Sequence, residues 1–120
     1  MILGIGVDIV ETARIEKSIK KKGFVEKVFS EKEIAYCQEK ARPHEHFAGR
    51  FAAKEALVKA LGEAYYFQVE PSQVEVTNNE QGKPEFTVPT LPIFENLTIH
   101  LSISHCSCHA VAMVTIEKEV

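Results

Sequence analysis

Two acidic residues lie among apolar residues of the kind that form a protein core, where a carboxylate is unusual, and both could bind a metal ion. Asp8 is the only carboxylate among the first ten residues, MILGIGVDIV, and Glu55 lies within the helical pattern RFAAKEALVKALG. A buried carboxylate is costly unless it is paired or bound to a metal. Oxygen ligands of this kind suit Mg²⁺, which keeps several waters and takes other ligands from phosphates.

Basic residues accompany Glu55 along the same predicted helix. Lys59 follows one turn later on the same side, and Arg50 and Lys54 add positive charge near the apolar arc of that helix. The arc consists of Phe47, Phe51, Leu57, Val58 and Leu61. Glu55 and Lys59 alone could form an exposed ion pair worth about 0.3 kcal/mol. The additional cations favour a helix that presents an acid to a metal and cations to phosphates. If Asp8 and Glu55 meet, the sequence predicts a site for a magnesium diphosphate.

Residues 1–10 are predicted to form a buried strand that carries Asp8. Side chains alternate between the two faces of a strand. One face presents Leu3, Ile5, Val7 and Ile9, and the other presents Gly4 and Gly6 before Asp8. We expect the bare backbone at the two glycines to leave open space beside the carboxylate.

The remaining elements are predicted in an α+β order. Helices are expected over residues 12–22, 30–41 and 43–61, and strands over residues 74–77, 85–88, 97–104 and 110–117. Ser30 and Glu33 form a capping-box pattern, and Pro43 and Gly62 are typical of a helix start and a helix end. These elements predict a single domain over residues 1–120, in which a small, mostly antiparallel sheet packs against one long helix and shorter helices.

Composition excludes several classes of protein. No apolar run approaches the roughly 20 residues that span a bilayer, and the N-terminus lacks a signal-peptide pattern, so we expect a cytoplasmic protein that does not enter membranes. The net charge of −3 argues against general nucleic-acid binding. The three cysteines are an odd number outside any disulfide-scaffold pattern, and they are interpreted as reduced thiols.

One segment is nevertheless basic. Seven of the fourteen basic residues fall in it, namely Arg14, Lys17, Lys20, Lys21, Lys22, Lys27 and Lys32. Such a segment on an acidic protein indicates an acidic partner. A solvated helix face is the alternative interpretation.

The stretch HCSCH, residues 105–109, offers a competing metal site. Two thiols and two imidazoles are ligands that Zn²⁺ prefers. Adjacent His-Cys pairs lack the CxxC spacing that lets one turn supply two ligands, and no second Cys/His cluster follows. The zinc hypothesis is therefore the weaker one. His44, His46, His100 and His109 are given no chemical role.

Three stretches in this order resemble the holo-acyl-carrier-protein synthase family, the short bacterial branch of the 4′-phosphopantetheinyl transferases. They are GIGVDIVETARIE, FAAKEALVKALG, and SISH followed by AVAMVTIE, and the turn QGKP matches as well. The resemblance implies the 4′-phosphopantetheinyl transferase fold. It also implies transfer of 4′-phosphopantetheine from coenzyme A to a serine of an apo acyl carrier protein, with Mg²⁺, in fatty acid biosynthesis. The second product would be adenosine 3′,5′-bisphosphate.

The resemblance also implies residue roles. Asp8 and Glu55 correspond to magnesium ligands, and Lys59 to a cation on the coenzyme A phosphates; these three are the expected catalytic residues. Further coenzyme A contacts are expected from Arg50, Lys54, the turn Gly82, Lys83 and Pro84, and His105, which matches a position near the diphosphate and adenine. The base that deprotonates the serine is left open between a water at the metal, Glu55 and His105.

The family docks acidic carrier proteins on its early helix. The corresponding residues here are Arg14, Lys17, Lys21, Lys22, Phe24 and Lys27. The resemblance further implies a homotrimer with active sites at the subunit interfaces. The alternative in a different class is a non-catalytic module that binds carrier proteins through the same basic segment.

Overall fold

The long helix is the element against which the main sheet packs. A computed structural model describes residues 1–62 and 68–119 of the chain. The strands are β1 (Ile2–Glu11), β2 (Glu75–Asn78), β3 (Pro84–Thr87), β4 (Leu97–His105) and β5 (His109–Lys118). The helices are α1 (Thr12–Ser18), α2 (Phe24–Val28), α3 (Glu31–Gln38) and α4 (Pro43–Leu61), with 3-10 turns at Pro71–Gln73 and Pro92–Phe94.

The strands form two antiparallel sheets. The larger sheet has the order β1-β5-β4, and β2 pairs with β3 in a separate hairpin. The predicted α+β class is confirmed, but one sheet was expected where the described residues form two. Pro89 and Pro92 follow β3. Because proline lacks the N–H that a strand donates to its neighbour, these residues end the strand pairing before β4 begins.

Helix α4 lies against β1 at backbone distance. A Cβ atom added to Gly4 would overlap the carbonyl oxygen of Ala60, and one added to Gly6 would overlap that of Ala56. The predicted open space beside Asp8 is therefore wrong, because the helix backbone fills it. The prediction of a buried strand is also wrong for the opposite face of β1, where Leu3, Ile5, Val7 and Ile9 are 50% to 71% exposed. The two glycines serve this close approach, since any side chain there would push the helix away.

The buried face of α4 is made of small residues. Ala48, Ala52, Ala53 and Ala56 have no exposed surface. The predicted arc of large apolar residues is only partly correct, because Phe47 and Leu57 are buried whereas Phe51, Val58 and Leu61 are half-buried. Alanines at helical spacing let the helix sit close to the glycine-bearing strand.

Several element boundaries differ from the prediction. The helix expected over residues 12–22 ends at Ser18, and a second short helix, α2, follows after Gly23, whose φ of 86° requires the left-handed region. The capping box at Ser30 and Glu33 is confirmed by both of its hydrogen bonds, but the helix expected to run to residue 41 ends at Gln38. Helix α4 is confirmed over 43–61.

The predicted domain spans residues 1–120, of which residues 63–67 and 120 lie outside the described residues. Within residues 1–62 and 68–119, no helix is both long enough and apolar enough to cross a membrane.

The close approach of α4 to β1 predicts that Gly6→Ala is severely destabilising. The added methyl group must displace the helix backbone, and overpacking of this kind should cost about 3 kcal/mol or more. Urea unfolding followed by circular dichroism measures the free energy of unfolding. Gly23→Ala is the control, because its methyl group meets no atom within 4 Å and costs only the left-handed backbone, about 1 kcal/mol. Equal losses in the two variants would contradict this account.

Candidate functional site

Asp8 and Lys59 are in contact where α4 packs on β1, and Glu55 lies near both of them. The ammonium Nζ of Lys59 donates to Oδ1 of Asp8 at 3.3 Å and to the carbonyl oxygen of Val7 at 3.0 Å. Lys59 thus contacts the strand carboxylate, rather than forming only the local pair with Glu55 that its spacing allowed. Asp8 reaches it because its side chain lies on the same face of β1 as the two glycines.

Glu55 lies within electrostatic reach of Asp8. Burial and the negative charge of Asp8 raise the pKa of Glu55, and the positive charges of Lys59 and Arg14 only partly offset them. The site therefore holds two carboxylates whose negative charge the neighbouring basic side chains do not fully balance. A divalent cation with oxygen preference fits this donor set, because Mg²⁺ needs only one or two protein carboxylates when phosphates and water complete its shell.

The described part of the chain contains no cluster of three or more His, Cys, Asp or Glu side chains that could hold a metal. The zinc hypothesis for residues 105–109 has no such cluster to rest on there. Cys106 and Cys108 are exposed free thiols in the turn between β4 and β5.

A second group of polar residues lines a cleft of about 200 Å³ between α3, α4, the β2–β3 turn and β4. Its lining includes four residues that the sequence associated with coenzyme A or its neighbourhood: Arg50, Gly82, Pro84 and His105. The structure thus brings together residues that are up to 55 positions apart in sequence, from Arg50 to His105.

Arg50 is held at the wall of this cleft. It is 5% exposed, its Nη2 donates to Oδ1 of Asn78 at 2.8 Å, and its guanidinium lies 4.1 Å from the ring centroid of Tyr36. Its Nε is buried without a hydrogen-bond partner among the described residues. Asn78 in turn donates from Nδ2 to the carbonyl oxygen of Gly82 at 2.9 Å. Arg50 is therefore tied to the turn that carries Lys83.

Lys54 does not share this environment. Its Nζ donates to Oε1 of Glu33 and to the carbonyl oxygens of Pro71 and Val74, each at 2.7 Å. Burial lowers the pKa of Lys54, and the Glu33 carboxylate opposes that effect. An ammonium has three donors, so these partners leave none for a phosphate. The structure therefore argues against the prediction that Lys54 binds coenzyme A; it joins α3, α4 and the start of β2 instead.

The sequence reasoning gave no role to several cleft residues, among them Tyr36, Glu45, His46 and Asn78. His46 and Arg50 are four residues apart, so they share one face of α4. That spacing was the available signal for His46. Tyr36 and Glu45 gave none, because their roles depend on contacts between distant parts of the chain.

The basic segment borders the carboxylate pair. Arg14, Lys17, Lys21, Lys22 and Lys27 are exposed. Arg14 is near enough for its charge to act on Glu55. Phe24 is only half-buried, and its ring stacks on Phe51 of α4 with centroids 6.2 Å apart. A positively charged surface thus adjoins the two acids.

Comparison with known proteins gives consistent results. A family model described as the 4′-phosphopantetheinyl transferase superfamily matches residues 4–114. The holo-[acyl-carrier-protein] synthase of Cytophaga hutchinsonii is 45% identical, over 98% of this chain and 99% of the relative.

Solved structures agree with this match. A crystal structure of a holo-(acyl-carrier-protein) synthase from Bacillus anthracis, in complex with CoA (3′,5′-ADP), superposes with a TM-score of 0.86 at 41% identity and covers 99% of both chains. The Helicobacter pylori holo-[acyl-carrier-protein] synthase in complex with coenzyme A has a TM-score of 0.82 at 33% identity, covering 94% of this chain and 99% of that one.

The raised pKa of Glu55 predicts that Glu55→Gln stabilises the metal-free protein at neutral pH. The folded state holds the Glu55 proton more tightly than the unfolded state, so wild-type stability falls as pH rises through the folded-state pKa. The variant lacks this loss. Its melting temperature in EDTA should exceed that of the wild type by about 4 °C at pH 7.5, with the difference vanishing below the ordinary glutamate pKa.

Thermal unfolding from pH 4 to pH 8 measures this difference, with the exposed Glu80→Gln as the matched control. A Glu55→Gln protein that melts below the wild type at pH 7.5 would show that the charged Glu55 is stabilising, against this account.

Proposed function

The chain belongs to the 4′-phosphopantetheinyl transferase superfamily, and we propose that it transfers 4′-phosphopantetheine from coenzyme A to a serine of an apo acyl carrier protein. The products are holo acyl carrier protein and adenosine 3′,5′-bisphosphate, and the reaction supplies carrier protein for fatty acid biosynthesis. The observation that carries the proposal is the proximity of Asp8, Glu55 and Lys59. The proposal is supported by relatives of nearly the same length that are named holo-[acyl-carrier-protein] synthases. Residues 1–120 are proposed to form one transferase domain.

Asp8 and Glu55 would hold the magnesium ion. Their charges repel in the metal-free protein, and this arrangement favours a cation. When bound, Mg²⁺ neutralises diphosphate charge as the phosphoanhydride bond breaks. Lys59, which already contacts Asp8, adds a positive charge beside the same phosphates. Phosphoryl transfer depends on such positioning and charge stabilisation more than on covalent catalysis by the protein.

The cleft lined by Arg50, Gly82, Pro84 and His105 is proposed to receive the rest of coenzyme A, with Lys83 at the same turn. Arg50 is a permanent cation, already oriented by Asn78 and Tyr36, so it loses little side-chain freedom when a phosphate binds. Relatives from two organisms were crystallised in complex with coenzyme A or CoA (3′,5′-ADP), which supports the choice of donor.

The serine hydroxyl must lose a proton during the transfer. Glu55 is the side chain that we favour as the acceptor, because it lies beside Asp8 and Lys59, where the reacting phosphates would be held. A water at the metal site and His105 are the other two candidates.

The carrier protein is proposed to dock on the basic segment of α1 and α2. Arg14 belongs to this docking surface, and its positive charge acts on Glu55. A carrier bound there could therefore place its serine beside the metal site. Lys17, Lys21, Lys22 and Lys27 extend the positive surface, and the half-buried Phe24 offers an apolar contact. Charge complementarity of this kind speeds association with an acidic partner.

Self-association is proposed as a homotrimer with active sites at the interfaces. The outer face of the larger sheet is apolar and exposed at Leu3, Ile5, Val7, Ile9 and Met113, with exposures from 50% to 71%. A contiguous apolar surface of this kind marks an interaction site, and a second copy of the chain is the occupant that the family resemblance implies.

The transferase proposal predicts a mass gain on a carrier protein. Apo acyl carrier protein incubated with this protein, coenzyme A and Mg²⁺ should gain one phosphopantetheine by intact mass spectrometry, and EDTA should prevent the gain. Asp8→Asn should lower the rate by about 100-fold or more, because it removes a charged metal ligand. No gain with several carriers, together with retained carrier binding, would instead favour the non-catalytic binding module.

The docking proposal predicts a specific effect of charge reversal. Lys21→Glu should raise the KM for the carrier protein by about tenfold at low salt and leave the KM for coenzyme A unchanged, and added salt should shrink the difference. Lys118→Glu, at the end of β5, is the charge-matched control. Equal effects of the two substitutions would show that only net charge matters.

The trimer proposal predicts that the wild-type chain sediments with the mass of three 13.4 kDa chains. Ile5→Lys places a charge on the exposed apolar face and should yield monomers, whereas the exposed Gln73→Lys should not. A monomeric wild type would contradict the proposal.

A further inference from the structure

Glu45 and His105 form a contact between the first turn of α4 and the end of β4. Oε1 of Glu45 lies 3.2 Å from Nδ1 of His105, and Oε2 lies 3.4 Å from Nη1 of Arg42. Glu45 is 7% exposed, so its carboxylate depends on such partners in place of water.

This contact determines which ring nitrogen of His105 carries a hydrogen. Burial acts to raise the pKa of Glu45, but hydrogen bonds from His105 and Arg42 outweigh it, and the pKa lies below its ordinary value. An ionised carboxylate accepts hydrogen bonds and cannot donate them. Nδ1 of His105 must then be the donor, which leaves Nε2 as the nitrogen available to a ligand.

Several side chains near His105 can carry positive charge. Arg50 and Lys40 both lie over the ring of Tyr36, at 4.1 and 4.4 Å from its centroid. The ring of His46 lies 5.3 Å from that of His105; burial and the charges of His105, Arg50 and Lys40 lower the pKa of His46.

Glu45 is the only acid among the described residues that line this cleft. A free carboxylate there would repel a phosphate. Glu45 instead pairs with His105 and Arg42, so its charge is occupied by these two side chains.

We propose that Glu45 is a positioning residue, which holds His105 as the Nδ1–H tautomer so that the unprotonated Nε2 faces the cleft and accepts a hydrogen bond from a hydroxyl or amino group of coenzyme A. The proposal rests on the proposed function, because the ligand at Nε2 is coenzyme A. Glu45 acts through His105 and touches no reacting atom. Arg42 completes the arrangement by pairing the second carboxylate oxygen.

The tautomer can be measured directly by long-range ¹H–¹⁵N spectra of the full-length protein at pH 8, with His105→Gln used to assign the signals. In the wild type, His105 should carry its hydrogen on Nδ1, and the Nε2 signal should shift when coenzyme A is added. In Glu45→Ala the hydrogen should move largely to Nε2. Glu117→Ala, which breaks the His100–Glu117 contact of 2.6 Å elsewhere, should leave His105 unchanged.

Kinetics supply the second readout. Glu45→Ala should raise the KM for coenzyme A by up to about tenfold with a smaller change in kcat, the size expected for losing one hydrogen bond to the ligand. A wild-type His105 with its hydrogen on Nε2 would overturn the proposal whether or not the variant folds. So would an Nε2 signal that ignores coenzyme A in an active enzyme, or an unchanged tautomer in folded Glu45→Ala.

Failure of the positioning role of Glu45 can be distinguished from failure of the proposed transferase function. A wild type that shows the Nδ1–H tautomer but transfers no phosphopantetheine and does not respond to coenzyme A would overturn the proposed function and, with it, the ligand assigned to Nε2.

Discussion

The backbone contact between α4 and β1 is the constraint on which the rest of the site depends. Gly4 and Gly6 have no side chain to separate the strand from the carbonyl oxygens of Ala56 and Ala60. Asp8 follows Gly6 on the same face of the strand, and Glu55 precedes Ala56 in the helix. The two carboxylates are therefore brought together by the contact that packs the core, and their repulsion is tolerated because the packing is strong. A site built from rigid backbone in this way needs little reorganisation when a cation arrives.

Arg50, Lys54 and Lys59 of α4 have separate uses that their sequence positions do not reveal. Lys54 donates all its hydrogen bonds to Glu33 and two backbone carbonyl groups. Arg50, four residues earlier, lines the cleft, and Lys59 donates to Asp8. Glu33 accepts from Lys54, from the backbone of Ser30 and from that of Val76, so one carboxylate joins α3, α4 and β2. Removing one partner of such a pair costs about 3–5 kcal/mol, because the other charge remains buried. This network fixes the wall of the cleft that Tyr36 and Arg50 share.

Local pattern was sufficient for the elements but not for the contacts between them. Strand β1, helix α4 and the capping box of α3 follow from periodicity and cap residues, which act over a few positions. The glycines of β1 were assigned open space because the sequence does not state that a helix lies there. The pair of Glu33 with Lys54 and that of Glu45 with His105 span 21 and 60 residues, so only the folded chain reveals them. Asp8 and Glu55 were predictable as an unusual pair of acids, whereas their meeting required the three-dimensional arrangement.

The central claim is that Asp8 and Glu55 form one metal site. Mn²⁺, a paramagnetic substitute for Mg²⁺, can be titrated into the protein with coenzyme A present and followed by electron paramagnetic resonance. The account predicts one bound Mn²⁺ per chain, with affinity lowered at least about tenfold in Asp8→Asn and in Glu55→Gln. Because both carboxylates would serve the same ion, the double variant should lose less than the sum of the two single losses. Wild-type affinity in either single variant would contradict the claim.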